Sequence, residues 1–204
     1  MILGAGGHGR VVAEIAQLSG KYTDIAFLDD KAPEASFPYP YIGNCGAFVD
    51  HLADSDFFIA IGNAAVRRRL QTEVEEAKGQ IVTLIHPAAV ISKDVTIGKG
   101  TVIMAGAIVN TGAKIGDGVI LNTASSVDHD CIIEDYCHVS VGTHLCGTVH
   151  VSKGTWIAAG AIVINNISIC SNCLIAAGAI VIHDIRISGV YKGIPAVLDD
   201  SNEK

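Results

Sequence analysis

Apolar residues recur every six positions from Ala89 to Val190, without a break in frame. This stretch divides into seventeen hexads, and the third residue of every hexad is Ile, Val or Leu. The first residue is small (Ala, Ser, Thr, Cys or Val) in all hexads but two, which begin with Ile167 and Ile185. A strict period of six with one aliphatic and one small position is typical of a parallel β-helix. An amphipathic helix would need a period of 3.6, which this stretch does not show.

Each hexad predicts one short strand and one corner. Because side chains alternate across a strand, positions 1 and 3 point to the same side. Position 3 then fills the core, and position 1 must be small because it lies beside a tight corner. Three hexads make one triangular coil of about 18 residues, so residues i and i+18 stack in successive coils about 4.8 Å apart.

The pattern before residue 83 is different and predicts a separate domain. Apolar runs that predict strands lie at residues 1–3, 25–28, 57–61 and 81–85. Residues at helical spacing are Val11, Val12, Ile15 and Leu18, then Val66, Leu70 and Val74. Strands that alternate with helices indicate a small, parallel, Rossmann-like α/β domain. The sequence therefore predicts a Rossmann-like domain at 1–82, a β-helix at 83–190 and a C-terminal tail at 191–204.

Composition and charge narrow the classes of function. The net charge is −7 and the chain has no basic stripe, which argues against nucleic acid as a partner. No run of about 18 apolar residues and no signal peptide is found, so we expect a cytoplasmic protein without membrane insertion. Three of the six cysteines, Cys131, Cys137 and Cys173, take the small inward position of a hexad, where packing explains them. The Cys170-x-x-Cys173 pair is therefore not assigned a redox or metal role.

A glycine-rich turn follows the first predicted strand. Gly4, Gly6 and Gly9 form GxGxxG before a helix, where backbone N–H groups can approach a phosphate. Asp29, about 20 residues further on, could hold a ribose hydroxyl as in NAD enzymes. A domain of about 80 residues holds only half of a doubly wound sheet, however, which favours a mononucleotide such as that of a sugar donor. A purely structural turn remains open, and the run Arg67 to Arg69 is interpreted as a solvated helix face.

His129 differs from the other histidines of the β-helix because Asp128 and Asp130 flank it near a corner. A carboxylate on one ring nitrogen fixes the tautomer and raises the basicity of the other nitrogen. This suits a general base acting on an amine or a hydroxyl, although a surface histidine in an acidic turn is equally open.

Three other histidines, His138, His144 and His150, are six residues apart and so fall on three successive faces. A single chain cannot gather them around one zinc, which leaves a carbonic-anhydrase-like site shared between chains as a further alternative.

The fifth position is small along one corner of the predicted prism. That column consists of Ala105, Thr123, Val141, Ala159 and Ala177, and glycine follows four of the five. Such a strip exposes backbone groups to which the amides of a pantetheine arm could bond. Alternatively, corners simply favour Ala and Gly.

Several segments together resemble the PglD- and NeuD-type sugar acetyltransferases. They are GAGGHGRVV, FLDD, FFIAIGNAAVRRR, ILNTASSVDHDCIIEDYCHVSVG and YKGIPA. The resemblance spans nearly the whole chain and is closest to the bacterial UDP-4-amino-sugar N-acetyltransferases of the bacillosamine pathway. It places the chain among the hexapeptide-repeat acyltransferases, which implies a left-handed β-helix; the period alone does not give the hand.

The resemblance also implies an activity and a set of site residues. It implies direct transfer of acetyl from acetyl-CoA to the 4-amino group of a UDP- or dTDP-linked amino-deoxy sugar, without a metal, in a homotrimer with active sites between subunits. His129 matches the general base and Asp130 the neighbour that increases its basicity. The implied acetyl-CoA contacts are His138, Ala159 and Ala177. The implied substrate contacts are Gly6, Gly7, His8, Asp29, Asp30 and Gly62. The alternatives are O-acetylation of sialic acid or a related sugar, and a non-catalytic scaffold or ice-binding surface.

Overall fold

The computed structural model describes residues 1–34 and 36–199. Backbone contacts divide the chain into two compact units, Met1–Pro87 and Ala88–Lys204. Of the predicted tail at 191–204, residues 200–204 lie outside the described part. No helix of the described chain is both long and apolar enough to cross a membrane.

The first unit is built on a parallel sheet. Its strands are β1 (Ile2–Leu3), β2 (Phe27–Leu28), β3 (Tyr41–Gly43), β4 (Asp56–Ile59) and β5 (Gln80–Ile81), followed by β6 (Leu84–Ile85). Its helices are α1 (Gly7–Leu18), a 3-10 helix (Cys45–His51) and α2 (Ala64–Glu76). Strands β1 to β5 form one sheet in the order β3-β2-β1-β4-β5, and every pair in it is parallel. Leu3, Leu28, Phe57, Leu70 and Val74 belong to its buried core.

Strand β3 and the 3-10 helix were not predicted from the sequence. Pro40 comes directly before β3 and Pro38 two residues earlier, and both Tyr41 and Ile42 are exposed, so the apolar signal there is weak. Proline is tolerated at this place because β3 is the edge strand of the sheet. The 3-10 helix begins after Asn44, whose side chain accepts a hydrogen bond from Ala47 N–H at 3.2 Å.

The second unit is a parallel β-helix of two-residue strands. Strands β7 to β22 are Val90–Ile91, Thr96–Ile97, Val102–Ile103, Ile108–Val109, Lys114–Ile115, Ile120–Leu121, Ser126–Val127, Ile132–Ile133, His138–Val139, His144–Leu145, His150–Val151, Trp156–Ile157, Ile162–Val163, Ser168–Ile169, Leu174–Ile175 and Ile180–Val181. Strand β23 (Val190–Lys192) pairs with β21 in parallel, and β24 (Val197–Leu198) pairs with β23 in antiparallel fashion.

These strands form three sheets, one for each side of the prism. Sheet I contains β7, β10, β13, β16, β19 and β22, and sheet II contains β8, β11, β14, β17 and β20. Within this unit, sheet III runs from β9 through β12, β15, β18 and β21 to β23 and β24. Residue i lies opposite i+18, as where Val127 pairs with Leu145. The predicted fold class, a small α/β domain followed by a hexapeptide-repeat β-helix, is confirmed.

The interior and the corners of the prism follow different rules. Most third and first residues of the hexads form one buried cluster, in which Cys131, Cys137 and Cys173 are at most 2 % exposed. Ile187, the third residue of the last hexad, is an exception to the prediction that position 3 fills the core, since it is 66 % exposed. The sixth residue of most hexads has a positive φ, and glycine occupies eight of these positions, from Gly100 to Gly178. Only glycine adopts this left-handed conformation without cost, and Asn and Asp adopt it more readily than other residues. Asp130 is one of the six non-glycine residues that take it, with φ of 58°.

Candidate active site

His129 lies at the corner between sheets I and II, between β13 and β14. Its Nδ1 lies 2.9 Å from Asp130 Oδ2, and its side chain is 48 % exposed. Asp128 does not contact the ring; its Oδ1 instead accepts a hydrogen bond from the backbone N–H of His129 at 2.8 Å. The two flanking carboxylates therefore have different roles, since one orients the imidazole and the other fixes the backbone beneath it.

Two glycines in the neighbouring coils leave room for this dyad. A Cβ atom at Gly147, one coil above His129, would collide with the ring at Nε2. A Cβ atom at Gly112, one coil below Asp130, would collide with Oδ1 of its carboxylate. A side chain at either position would therefore displace one member of the dyad from its present place.

The charges around His129 favour its protonated form. The hydrogen bond to Asp130 raises the pKa of His129 above its ordinary value, and the charges of Asp128 and Asp130 add to this effect. The pKa of Asp128 is lowered, first by a hydrogen bond from Asn110 Nδ2 at 2.8 Å and then by the N–H of His129. A carboxylate at Nδ1 favours the tautomer with the proton on that nitrogen, which leaves Nε2 as the basic atom.

His138 lies on the outer face of sheet III, in β15. Its Nε2 is 3.2 Å from Asn122 Nδ2, and its ring is parallel to that of Trp156. Ala159 and Ala177 lie at the corner where sheet III turns into sheet I, and both are exposed. Among the described residues, neither alanine N–H donates a hydrogen bond to another group of the chain.

The structure does not bring all predicted residues of the β-helix together within one chain. In a three-sided prism, the corner between sheets I and II is opposite sheet III. His129 and His138 are therefore separated by the buried core, whereas His129 and Asp130 are in direct contact.

The glycine-rich turn of the first unit follows β1, and the segment Ile61 to Asn63 follows the neighbouring strand β4. The sheet order reverses between these two strands, and ligands of open α/β sheets bind at such a switch point, outside the carboxyl ends of the strands. A Cβ at Gly9 would collide with the Gly4 carbonyl oxygen, so Gly9 is needed for packing. Gly6 and Gly7 have nothing within 4 Å of a Cβ position, so this part of the turn is open.

The two aspartates predicted to contact substrate also shape this sheet edge. Asp29 Oδ2 accepts from Ala5 N–H at 2.7 Å, and its Oδ1 accepts from Lys31 N–H at 2.9 Å. Asp30 Oδ1 accepts from Cys45 N–H at 3.0 Å. Asp29 thus ties the second strand's end to the glycine-rich turn.

Comparison with known proteins gives the family. Residues 1–74 match the family described as the PglD N-terminal domain. The acetyltransferase domain of PglB from Neisseria gonorrhoeae, solved with acetyl coenzyme A, is 37 % identical; the match covers 97 % of each chain with a TM-score of 0.93. The chain belongs to the PglD-type family of sugar acetyltransferases.

Two further relatives agree with this family. PerB from Caulobacter crescentus, solved with CoA and GDP-perosamine, is 34 % identical over 97 % of this chain and 95 % of its own, with a TM-score of 0.91. A UDP-N-acetylbacillosamine N-acetyltransferase from Bacillus subtilis is 39 % identical over 109 residues, which is 51 % of this chain and 50 % of that protein. The predicted family, its acetyltransferase class and acetyl-CoA as its co-substrate are confirmed.

The remaining histidines of this PglD-type chain lie apart. His138, His144 and His150 lie on sheets III, I and II, as their spacing predicts. His144 Nδ1 is 2.8 Å from Ser126 Oγ, and His150 Nε2 is 2.8 Å from Glu134 Oε1. Within the described residues, no group of three or more His, Cys, Asp or Glu side chains is placed to hold a metal ion.

The interpretation of Arg67 to Arg69 as a solvated face is wrong for Arg67. Its side chain is 1 % exposed, and Nη1 donates to the carbonyl oxygens of Ile61 and Gly62 at 2.8 Å each. Arg68 and Arg69 are exposed, as predicted. The spacing of Arg67 from the buried Leu70 and Val74 was the available signal, because residues three and four apart share one helix face.

His8 is the second residue of α1, and its side chain is partly buried. Burial and the charge of Arg67 lower the pKa of His8 to about 4, so the ring is neutral near pH 7. Its Nε2 is buried and has no hydrogen-bond partner among the described residues. His8 therefore lies at the glycine-rich turn as a neutral side chain.

Proposed function

We propose that this protein transfers acetyl from acetyl-CoA to the 4-amino group of a nucleotide-linked amino-deoxy sugar, with UDP or dTDP as the nucleotide. The observation that carries the proposal is the His129–Asp130 pair at 2.9 Å, exposed at a corner of a PglD-type chain. N-acetylation is favoured over O-acetylation because the Bacillus subtilis relative is named as an N-acetyltransferase. Because acetyl-CoA and nucleotide sugars are cytoplasmic metabolites, we propose that the protein works in the cytoplasm.

His129 is the general base of the proposed reaction. Its Nε2 takes a proton from the sugar amine as the amine nitrogen attacks the thioester carbonyl carbon. The C–N bond forms, the C–S bond breaks, and the CoA thiolate leaves and takes up a proton, so no acyl-enzyme is needed. Asp130 holds the ring by Nδ1 and stabilises the imidazolium that forms.

The proposed binding residues are distributed over both units. Gly6, Gly7 and His8 would hold the nucleotide sugar at the open part of the turn, with Asp29, Asp30 and Gly62 at the adjacent strand ends. His138, Ala159 and Ala177 would hold acetyl-CoA along sheet III and its corner. The free N–H groups of the two alanines support this assignment, because pantetheine carries two amide groups that need partners.

We also propose a homotrimer with active sites between subunits. Within one chain, His129 lies on the opposite side of the prism from sheet III. His129 can therefore approach acetyl-CoA only where the acetyl-CoA is bound on sheet III of a neighbouring copy. Sheet I connects the corner of Ala159 and Ala177 with the corner of His129. Its strands present Val90 and Ile108 with 63 % and 41 % exposure, and Ile164, directly after β19, is 37 % exposed. An apolar outer face of this kind suits a subunit interface.

Turnover of amino sugars tests the proposed function directly. We expect CoA thiol release from acetyl-CoA with at least one 4-amino sugar in a panel of UDP-, dTDP- and GDP-linked forms. Free sialic acid and the corresponding 4-hydroxy nucleotide sugars are the controls. Thiol release with a hydroxyl acceptor and with none of the amines would contradict N-acetylation.

Asp130→Asn is expected to change the pH dependence of the reaction. His129 must be neutral to accept a proton, so kcat/KM falls as pH decreases through its raised pKa. Asn removes the largest cause of the raised pKa of His129. The decrease of kcat/KM on the acid side of the pH–rate profile, here called the acid limb, should therefore move to lower pH. The weaker base should also lower the plateau rate about tenfold. Asn tolerates the positive φ at this corner, which isolates the loss of charge from backbone strain.

Asp128→Asn is the matched control for this profile. Asp128 bonds the backbone N–H of His129 and acts on the ring only through its charge, so Asp128→Asn should move the acid side of the pH–rate profile in the same direction by a smaller amount. An acid limb that stays in place in Asp130→Asn would show that His129 is not the titrating base.

A further inference from the structure

We infer that Trp156 forms one wall of the acetyl-CoA groove, where its indole packs against the pantetheine arm of an acyl-CoA thioester. The inference rests on the proposed function in one respect only, the assignment of sheet III and its corner to acetyl-CoA. It adds a binding residue that neither the hexad pattern nor the resemblance to the family indicates.

The indole is held in place on the outside of the prism. Trp156 lies in β18 directly opposite His138 in β15, and the two rings are parallel within 3° with centroids 5.8 Å apart. Nε1 donates a hydrogen bond to Ser140 Oγ at 2.8 Å. Asn122 contacts the other side of this group through Nε2 of His138. The four side chains form one connected network that fixes the orientation of both rings.

Trp156 is nevertheless 48 % exposed, and it does not serve the core. The next residue, Ile157, is fully buried and fills the interior at this level. Tryptophan combines a large apolar surface with one polar atom, and here that atom already has its partner inside the chain. The exposed apolar surface of a ring with a fixed orientation is therefore available to a ligand.

The surface beside the two rings is a smooth ledge. Moving toward the corner, the next positions are Ala158 and Ala159, with Ala176 and Ala177 one coil above. The glycines that follow, Gly160 and Gly178, have φ of 69° and no side chain. The bulky rings of His138 and Trp156 thus lie next to a surface made of the alanine methyl groups.

The chemistry of this ledge matches that of a pantetheine arm. The arm alternates short apolar segments with two amides, so it needs an apolar wall and amide partners at the same time. Trp156 supplies the wall, and the unbonded N–H groups of Ala159 and Ala177 supply donors in successive coils, about 4.8 Å apart.

The experiment uses the fact that Trp156 is the only tryptophan of the chain. Titration of the full-length protein with acetyl-CoA, and separately with CoA, should change the tryptophan fluorescence in a saturable way. By calorimetry, Trp156→Ala should weaken acetyl-CoA binding about tenfold, and Trp156→Phe, which keeps an aromatic wall, less than threefold. In steady state, KM for acetyl-CoA should rise in Trp156→Ala while kcat and KM for the sugar change little.

Ile132→Ala is the matched control, because Ile132 is an exposed strand residue of sheet II with 40 % exposure. It should leave acetyl-CoA affinity unchanged. The inference is overturned if saturating CoA leaves the fluorescence unchanged and Trp156→Ala binds acetyl-CoA normally. It is also overturned if sedimentation shows that Trp156→Ala dissociates the oligomer, since the ring would then be a subunit contact.

These binding measurements need no sugar, so they separate this inference from the proposed acceptor. If Trp156→Ala weakens acetyl-CoA binding and no amino sugar is turned over, the proposed acceptor is wrong, whereas the assignment of Trp156 to the acetyl-CoA groove is supported. If amino sugars are acetylated and Trp156→Ala binds acetyl-CoA as the wild type does, the proposed function is supported and Trp156 is not part of the acetyl-CoA groove.

Discussion

His129→Ala is expected to lower kcat/KM for acetyl transfer by about 100- to 10,000-fold, the usual contribution of a general base. Alanine removes Nε2 and leaves no other base beside Asp130, whose carboxylate is directed at the lost ring. The fold should survive, because the side chain is 48 % exposed and lies outside the buried core. The measurement is thiol release from acetyl-CoA, with circular dichroism and acetyl-CoA binding as tests of the fold.

The chain supplies its own control for this prediction. His183 and Asp184 repeat the His-Asp dipeptide at the same corner, three coils further along. There Asp184 Oδ1 accepts a hydrogen bond from Ser168 N–H, and its Oδ2 lies 3.6 Å from Arg186. His183→Ala should therefore retain near wild-type activity. Equal losses in the two variants would contradict a specific role for His129.

The two dipeptides also show how far the sequence can locate the site. The hexad frame alone places His129 and His183 in the same column, and only the acidic residue before His129 distinguishes them in sequence. The ring–carboxylate contact that makes a base is decided by the turn, where the carboxylate can bond either the ring or a backbone N–H. Such a choice depends on the rotamer of the carboxylate and on the donors around it, which a pattern of residue types does not contain.

Two other features of the structure could not be predicted from the sequence, for related reasons. The hexad period predicts the sheets and the core, because it describes what each position must bury. It does not describe side chains that point outward, so the contact of Trp156 with His138 was not predicted. In the first unit, the arginine run was interpreted as one surface, although a helix turns about 100° per residue and only Arg67 lies on the buried face.

Arg67→Met is expected to destabilise the first unit by about 1.5–3 kcal/mol, the usual contribution of a hydrogen bond from a charged donor. Methionine keeps most of the buried volume but leaves the carbonyl oxygens of Ile61 and Gly62 without their donor. Hydrogen exchange followed by mass spectrometry, with peptides from residues 1–87, measures this change locally. We expect faster exchange there and unchanged exchange in the β-helix.

Arg69→Met is the matched control on the same helix. Arg69 Nη1 lies 2.7 Å from Glu73 Oε1, and the two side chains are 56 % and 42 % exposed. Exposed i,i+4 ion pairs of this kind contribute only about 0.3–0.5 kcal/mol to stability. Gly62 is also a proposed substrate contact, so Arg67→Met should raise KM for the nucleotide sugar and leave KM for acetyl-CoA unchanged. If Arg67→Met and Arg69→Met show the same hydrogen exchange, Arg67 does not stabilise the end of β4. If hydrogen exchange becomes faster in Arg67→Met while KM for the nucleotide sugar stays the same, the end of β4 does not bind the substrate.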